Sequence, residues 1–324
     1  MYADTDAVKR GEEPESGLKH PLYEEIVLCE EFGPVSFDLT EEVVKSFAFT
    51  QDDYSEWSFA KRPSGRPIAH AGALLNPLLQ LFTLRYAASE VVGLHVEEEV
   101  SFRQPAFVGE RVTLRGAYVD KFVRRGEGCV VMEAEATGAD GRVLVQHRGV
   151  EIMRTVPGQV AGRASAPVSE LKRRRVRTDS RTDIAPVQRL MARPERDIGV
   201  VPLRKVPTQA QMAVFSRIGD WVTNIHNDLR KARAAGLTVP IVQGQQLFCY
   251  ATELLTRVFG ATWFTTGHLA MKFLRPVQAF DPVEIAGAVR SVDNERVDLD
   301  VWVVREDGTV SAVGWAQAAL LQEG

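Results

Sequence analysis

"PIAHAGALLNPLLQLF" (67–82) and "PIVQGQQLFCYATELL" (240–255) are two versions of one segment, set roughly 170 residues apart, a far longer period than that of a solenoid. Each opens on Pro-Ile and continues as a long apolar run with few charges around its circumference, the pattern of a helix buried on all sides. Pro77 should kink or bound the first of them.

The duplication extends outward in both directions. Downstream, "SFRQPAFVGERVTLRG" (101–116) lies over "KFLRPVQAFDPVEIAG" (272–287), so that Phe102 meets Phe273, Pro105 meets Pro276, Val112 meets Val283 and Gly116 meets Gly287. Further on, "GADGRVLVQ" lies over "REDGTVSAV", with Gly141 over Gly308, and upstream "FAFTQDDY" from Phe47 lies over "FSRIGDWV" from Phe215. Each half should therefore be one copy of a fold. After each helix come runs of alternating β-branched and polar residues, such as "GCVVMEAEATG" and "RVDLDVWVVRE", with Asp-Gly turns at 140–141 and 307–308. The expected architecture is α+β, one buried helix followed by a strongly twisted antiparallel sheet, made twice.

Composition agrees with this reading. At 324 residues, 45% hydrophobic and 25% charged, the chain can bury a full core in about two units. The expected division is an N-terminal unit over 1–155, a linker over 156–198 and a C-terminal unit over 199–324. The stretch 154–186 is small, polar and basic with scattered Gly and Pro. Within it the run "KRRRVR" (172–177) reads as a solvated face, with contact to a phosphate-bearing ligand as the other reading. A net charge of −4 gives no electrostatic footprint for nucleic acid. The N-terminus has no signal-like h-region and no stretch reaches the ~18 apolar residues of a membrane span, so the expected location is the cytoplasm and no membrane contact is expected. Cys29, Cys129 and Cys249 are odd in number and lie in or beside apolar runs, which suits reduced thiols used as small hydrophobes.

The residue types that carry chemistry gather in "GDWVTNIHND" (219–228). Asp220 and His226 are either a catalytic pair or the polar groups of an ordinary loop. Asp228 reads as the N-cap of a short helix, "NDLRKARAAG", closed by Gly236.

Taken in order, "GDWVTNIHND", "VPIVQGQQL" (239–247) and "MKFLRPVQAFDPVEI" (271–285) resemble the motifs of the MaoC-like (R)-specific enoyl-CoA hydratases and dehydratases. The resemblance covers roughly 25–155 and 200–322, and looks like the double-hotdog members, in which two halves of one chain stand in for a dimer. It implies a double hotdog whose two sheets join edge to edge. It also implies a hydro-lyase that adds water to a 2-enoyl thioester, or removes it from a 3-hydroxyacyl thioester, without metal or redox cofactor. Asp220 and His226 would flank one catalytic water, and the Gly244 amide at the helix N-terminus would hold the thioester oxygen. Asn224, Gln243 and His70 are the candidates for substrate contact, with a satisfied core polar group as the other reading of His70. The substrate would be carried on coenzyme A or an acyl-carrier protein, with Lys272 and Arg275 near enough in sequence to meet coenzyme A phosphates. A further pairing into a homodimer is compatible with the fold.

The sequence departs from the family pattern in named places. His226 stands one residue farther from Asp220 than in the motif, the proline before Ile-His is missing, and Gln243 replaces the helix-start histidine. In the first half Asp52 lies over Asp220, "EWSFAKR" offers no histidine opposite His226, and His70 takes the position of Gln243. The first half is thus expected to keep shape and house the acyl group, with apolar room from Gly72 to Leu81. A hotdog thioesterase and a non-catalytic acyl-thioester-binding subunit are the alternatives.

Overall fold

The computed structural model describes residues 15–60, 65–91, 93–156, 160–162, 177, 186–190, 194–216, 223–293 and 296–320. Most of the expected linker, and Asp220 with its neighbours 217–222, lie outside the described residues.

The first half contains strands β1 (Phe32–Asp38), β2 (Leu94–Phe102), β3 (Arg111–Arg124), β4 (Glu127–Gly138) and β5 (Val143–Ile152). The second contains β6 (Gly199–Lys205), β7 (His268–Phe273), β8 (Val283–Asp293), β9 (Arg296–Arg305) and β10 (Val310–Ala319). All ten form one antiparallel sheet in the order β1-β3-β4-β5-β2-β7-β10-β9-β8-β6. Read from the middle outward, the two sides of that order match strand for strand, which is the duplication expressed as topology. The halves join where β2 pairs with β7, Glu98 opposite Met271 and Val100 opposite Leu269. Gly141 and Gly308 both sit at φ +79°, the left-handed backbone that the two Asp-Gly turns require.

The helices are α1 (Glu41–Gln51), α2 (Glu56–Phe59), α3 (Leu75–Leu79), α4 (Gln209–Phe215), α5 (Leu229–Ala234), α6 (Gly244–Phe259) and α7 (Trp263–Thr266). Helix α6 is the second-half central helix. Leu247, Phe248, Leu254, Leu255 and Phe259 are at most 2% exposed, so packing fixes this helix: each such side chain contributes about 1.5–3 kcal/mol on burial. It ends at Gly260, whose φ of +62° closes the last turn. Helices α1 and α4 start on capping threonines. Thr40 accepts from the Val43 amide, and Thr208 forms a reciprocal capping box with Gln211.

The first-half counterpart is not one helix. It runs as a 3-10 turn (Ala71–Leu74), the five residues of α3 and a second 3-10 turn (Gln80–Leu84). Pro77 in α3 has no N–H to continue an α ladder and Gly72 adds no helix propensity, so the segment tightens on both sides of α3. The break serves packing, because a Cβ on Gly72 would lie 2.6 Å from the Cys249 sulfur of α6. The two central segments cross at that contact. Cys129 and Cys249 are buried as expected, whereas Cys29 is exposed in a turn at φ +60°.

The basic run departs from the solvated face expected of it at the one position described. Arg177 pairs with the buried Asp300 at 2.5 Å and with Asp197 at 2.8 Å, and its carbonyl accepts from the Trp302 indole at 2.9 Å. These contacts hold Arg177 against β9.

Candidate active site

The loop before α5 is shaped by its asparagines. Asn227 Oδ1 accepts from the Asn224 amide at 2.8 Å, Asn224 Oδ1 accepts from the His226 amide at 2.9 Å, and Asn224 Nδ2 donates to the Ser216 carbonyl at 3.0 Å. Short amide side chains of this kind satisfy backbone groups that no ladder serves. Asp228 caps α5 by accepting from the Lys231 amide at 2.9 Å, and Gly236 closes the turn at φ +82°.

This frame aims His226 at the segment before α6. Its Nδ1 lies 2.8 Å from the Ile241 carbonyl oxygen. A carbonyl only accepts, so Nδ1 carries the proton and Nε2 of the neutral ring keeps its lone pair. Burial pushes the imidazole pKa down to about 4; the Ile241 bond works against that and nearby His95 adds to it. At neutral pH the ring is an uncharged acceptor.

His226 opens on a cavity of about 390 Å³ that both halves line. Asn224, His226, Gln243 and Gly244 contribute polar groups from the second half, and Leu79, Phe82, Val91 and Leu94 contribute apolar wall from the first. Gly244 is the first residue of α6, where an amide has no intrahelical acceptor. A Cβ at Gly244 would stand 3.1 Å from the Phe273 ring, so the missing side chain lets that ring close over the helix start. Gln243 bridges the halves, donating to Asn76 Oδ1 at 3.1 Å, while Asn76 itself donates to the Phe215 carbonyl. Arg275 lines the same cavity. Lys272 is not among the lining residues and stands opposite Glu97 in the sheet.

The structure brings Asn224, His226, Gln243 and Gly244 together, and it separates His70 from them. His70 does not line this cavity. Its Nδ1 accepts from the Gly72 amide at 2.9 Å, capping the first 3-10 turn, and its Nε2 lies 3.6 Å from Asp53 in a buried cluster. Burial holds its pKa down to about 4. Asp53, His70 and Glu253 are spaced closely enough to surround a cation, and Lys205 sets its ammonium 2.8 Å from Glu253 of that cluster. Lys205 also donates to the carbonyls of Gln51 and Asp52 at 2.7 and 3.0 Å. The expected polar position in the first half is therefore filled by a side chain of the second.

A second polar group escaped the sequence reading. Glu98 on β2 lies 3.5 Å from His95 Nε2 and 3.4 Å from His147 Nε2, and accepts from Gln245 Nε2 at 3.1 Å. Burial opposes its ionisation, yet the two imidazoles and Gln245 hold its pKa below the ordinary carboxylate value. Gly149, opposite Glu98 in the ladder, makes the room, since a Cβ there would meet His147 at 3.2 Å and His95 at 3.4 Å. The signal in "HVEEEV" was hidden by a register shift between His95 and Glu97, which puts residues three apart on one face of a strand. His95 and its cross-strand neighbour Glu151 both line the cavity.

The comparisons with known proteins agree on architecture. A family model described as the thioesterase superfamily matches residues 249–312, the part running from α6 into β10. No curated protein sequence matches the chain. Among solved structures, a putative MaoC domain protein dehydratase from Chloroflexus aurantiacus superposes with a TM-score of 0.68 at 12% identity, covering 95% of this chain and 99% of that one. A conserved hypothetical protein from Mycobacterium tuberculosis, described as having a double hotdog fold, gives 0.66 at 13% identity over 93% and 98% of the two chains. The full-length peroxisomal multifunctional enzyme type 2 from Drosophila melanogaster gives 0.60 at 15% identity, with 89% of this chain matching 48% of that one. The fold is a double hotdog, and its structural neighbours include MaoC-like dehydratases.

Proposed function

We propose that the chain is a hydro-lyase that adds water to a 2-enoyl thioester or removes it from a 3-hydroxyacyl thioester. The observation that carries this reading is His226, a neutral imidazole with its Nδ1–H tied to Ile241, opening on the same mainly apolar cavity as the N-terminus of α6. Nε2 accepts a proton from water as the water oxygen bonds to C3. Electron density moves from the double bond onto the thioester oxygen, which the Gly244 amide and the positive end of the α6 dipole stabilise. The proton taken from water returns to C2 as the thioester carbonyl re-forms, so one water supplies both hydrogen and hydroxyl. Asp220 would share that water with His226, a role it takes from the resemblance alone, and Asn224 would hold the loop that presents the imidazole. Arg275, at the cavity, suits the phosphates of a coenzyme A or carrier-protein arm.

A thioesterase is the second reading, favoured by the family-model match over 249–312. Incubating the full chain with an enoyl-CoA separates the two. Loss of enoyl absorbance with formation of 3-hydroxyacyl-CoA supports hydration, release of free thiol supports thioester hydrolysis, and no change under either assay leaves an acyl-thioester-binding subunit.

A further inference from the structure

We infer that the acyl group bound here carries an oxygen substituent, a hydroxyl or keto group, and that Glu151 recognises it. This rests on the acyl-thioester reading of the cavity and adds the substrate class to it. The first-half wall is apolar along Leu79, Phe82, Val91 and Leu94, yet Glu151 and His95 line it as well. They are directly opposite each other on β5 and β2, and cross-strand partners share a face of the sheet.

His95 is the obvious partner for Glu151, but it is turned elsewhere. Its Nε2 faces Glu98 at 3.5 Å and the Glu97 carbonyl at 3.1 Å, and His147 also faces Glu98. Among the described residues the Glu151 carboxylate makes no hydrogen bond and no ion pair. The Glu151 side chain is partly exposed to the cavity, and a ligand that displaces its water without offering a polar group leaves the carboxyl unmet, which is costly. Burial pushes the Glu151 carboxyl up to about 7, against the pull of His147, so near neutral pH a large fraction of it is protonated. A protonated carboxyl offers one donor and free acceptor capacity, the complement of a hydroxyl or keto oxygen. A plain alkyl chain would leave it unmatched.

The test is calorimetric titration of the full chain with hexanoyl-CoA and with its hydroxylated counterparts bearing the hydroxyl on each of the last three carbons. These saturated thioesters bind without hydration. At least one hydroxylated probe should bind about tenfold more tightly than hexanoyl-CoA, the ratio one net hydrogen bond provides. Glu151→Leu should erase the preference without weakening hexanoyl-CoA, and Glu151→Gln, which keeps a donor and an acceptor, should retain most of it. Preference of the unaltered chain for hexanoyl-CoA, or a preference that survives Glu151→Leu, overturns the inference and leaves the acyl-thioester reading intact. Failure of every probe to bind overturns both.

Discussion

Lys205, the last residue of β6, lies 2.8 Å from Glu253 on α6 and reaches the carbonyls that end α1 in the other half. Both side chains are nearly inaccessible, at 5% and 2%. Glu253 also meets Arg257 at 2.5 Å, and burial raises its carboxyl to about 7, so without Lys205 it keeps one partner and can take up a proton. Lys205→Met should therefore cost about 1–3 kcal/mol in urea unfolding, and the double variant with Glu253→Gln should recover part of that loss.

His226→Ala and Asp220→Asn should each lower turnover on an enoyl thioester by about 10²–10⁴-fold. His226→Ala also gives up the hydrogen bond to the Ile241 carbonyl, which should cost about 1–3 kcal/mol of stability, far too little to explain such a loss of turnover in folded protein. Two groups serving one water act as a unit, so the double variant should be little worse than the poorer single one. Multiplying losses would assign them separate tasks, and full turnover by His226→Ala would remove the mechanism.

The working form of His226 is the neutral ring, and its pKa lies at about 4. Lowering the pH inactivates it only as the pH approaches that value. The kcat/KM profile should stay nearly level from pH 7 to pH 5, where a histidine of ordinary pKa would already be about thirtyfold down. A fall centred near pH 6.5 would show that the ring is more hydrated than its burial implies.

Gly244→Ala would place a Cβ 3.1 Å from the Phe273 ring, which itself lies 5.2 Å from the His95 ring. Alanine improves helix propensity by up to about 1 kcal/mol, so the fold should tolerate the change. Displacement of the ring should still raise KM or lower kcat about tenfold, because shifts of about an ångström at a site are costly. Phe273→Leu in the Gly244→Ala background should restore part of the activity by making room.

Glu151 has a folded-state pKa raised to about 7 from 4.5. Between those values the folded state binds more protons than the unfolded one, so its contribution is complete below pH 4.5 and is lost as the pH rises through 7. Glu151→Gln removes this dependence. Relative to the unaltered chain the variant should gain about 2–3 kcal/mol between pH 4.5 and pH 8, read from paired urea titrations. An unchanged difference across that range would mean the carboxyl is well solvated.

The duplicated apolar segments and the Asp-Gly turns announced two copies of one helix-plus-sheet unit, because burial and turn geometry are local demands written in residue type. The same holds for Asp228 as a cap, whereas the meeting of His226 with Gly244, on the far side of α5 in sequence, was implied only by the resemblance to the hydratase motifs. His70 belongs to the other class. Its place allowed either a substrate contact or a satisfied core polar group, and packing between the halves decided for the core: Nε2 faces Asp53 at 3.6 Å, and Lys205, more than a hundred residues away, brings its ammonium to Glu253 of the same cluster. The Glu98 cluster depended on a register shift in β2, and the strand's alternation gave no sign of it. Pro77 promised a kink; the close contact of Gly72 with Cys249 turned it into a broken segment. The sequence by itself determined the duplication, the second-half central helix and the turns between strands, through hydrophobic period, capping and turn chemistry. The tertiary structure alone decided which polar groups share a cavity and which neutralise one another, because a buried charge takes its partner from whatever strand or helix packs against it.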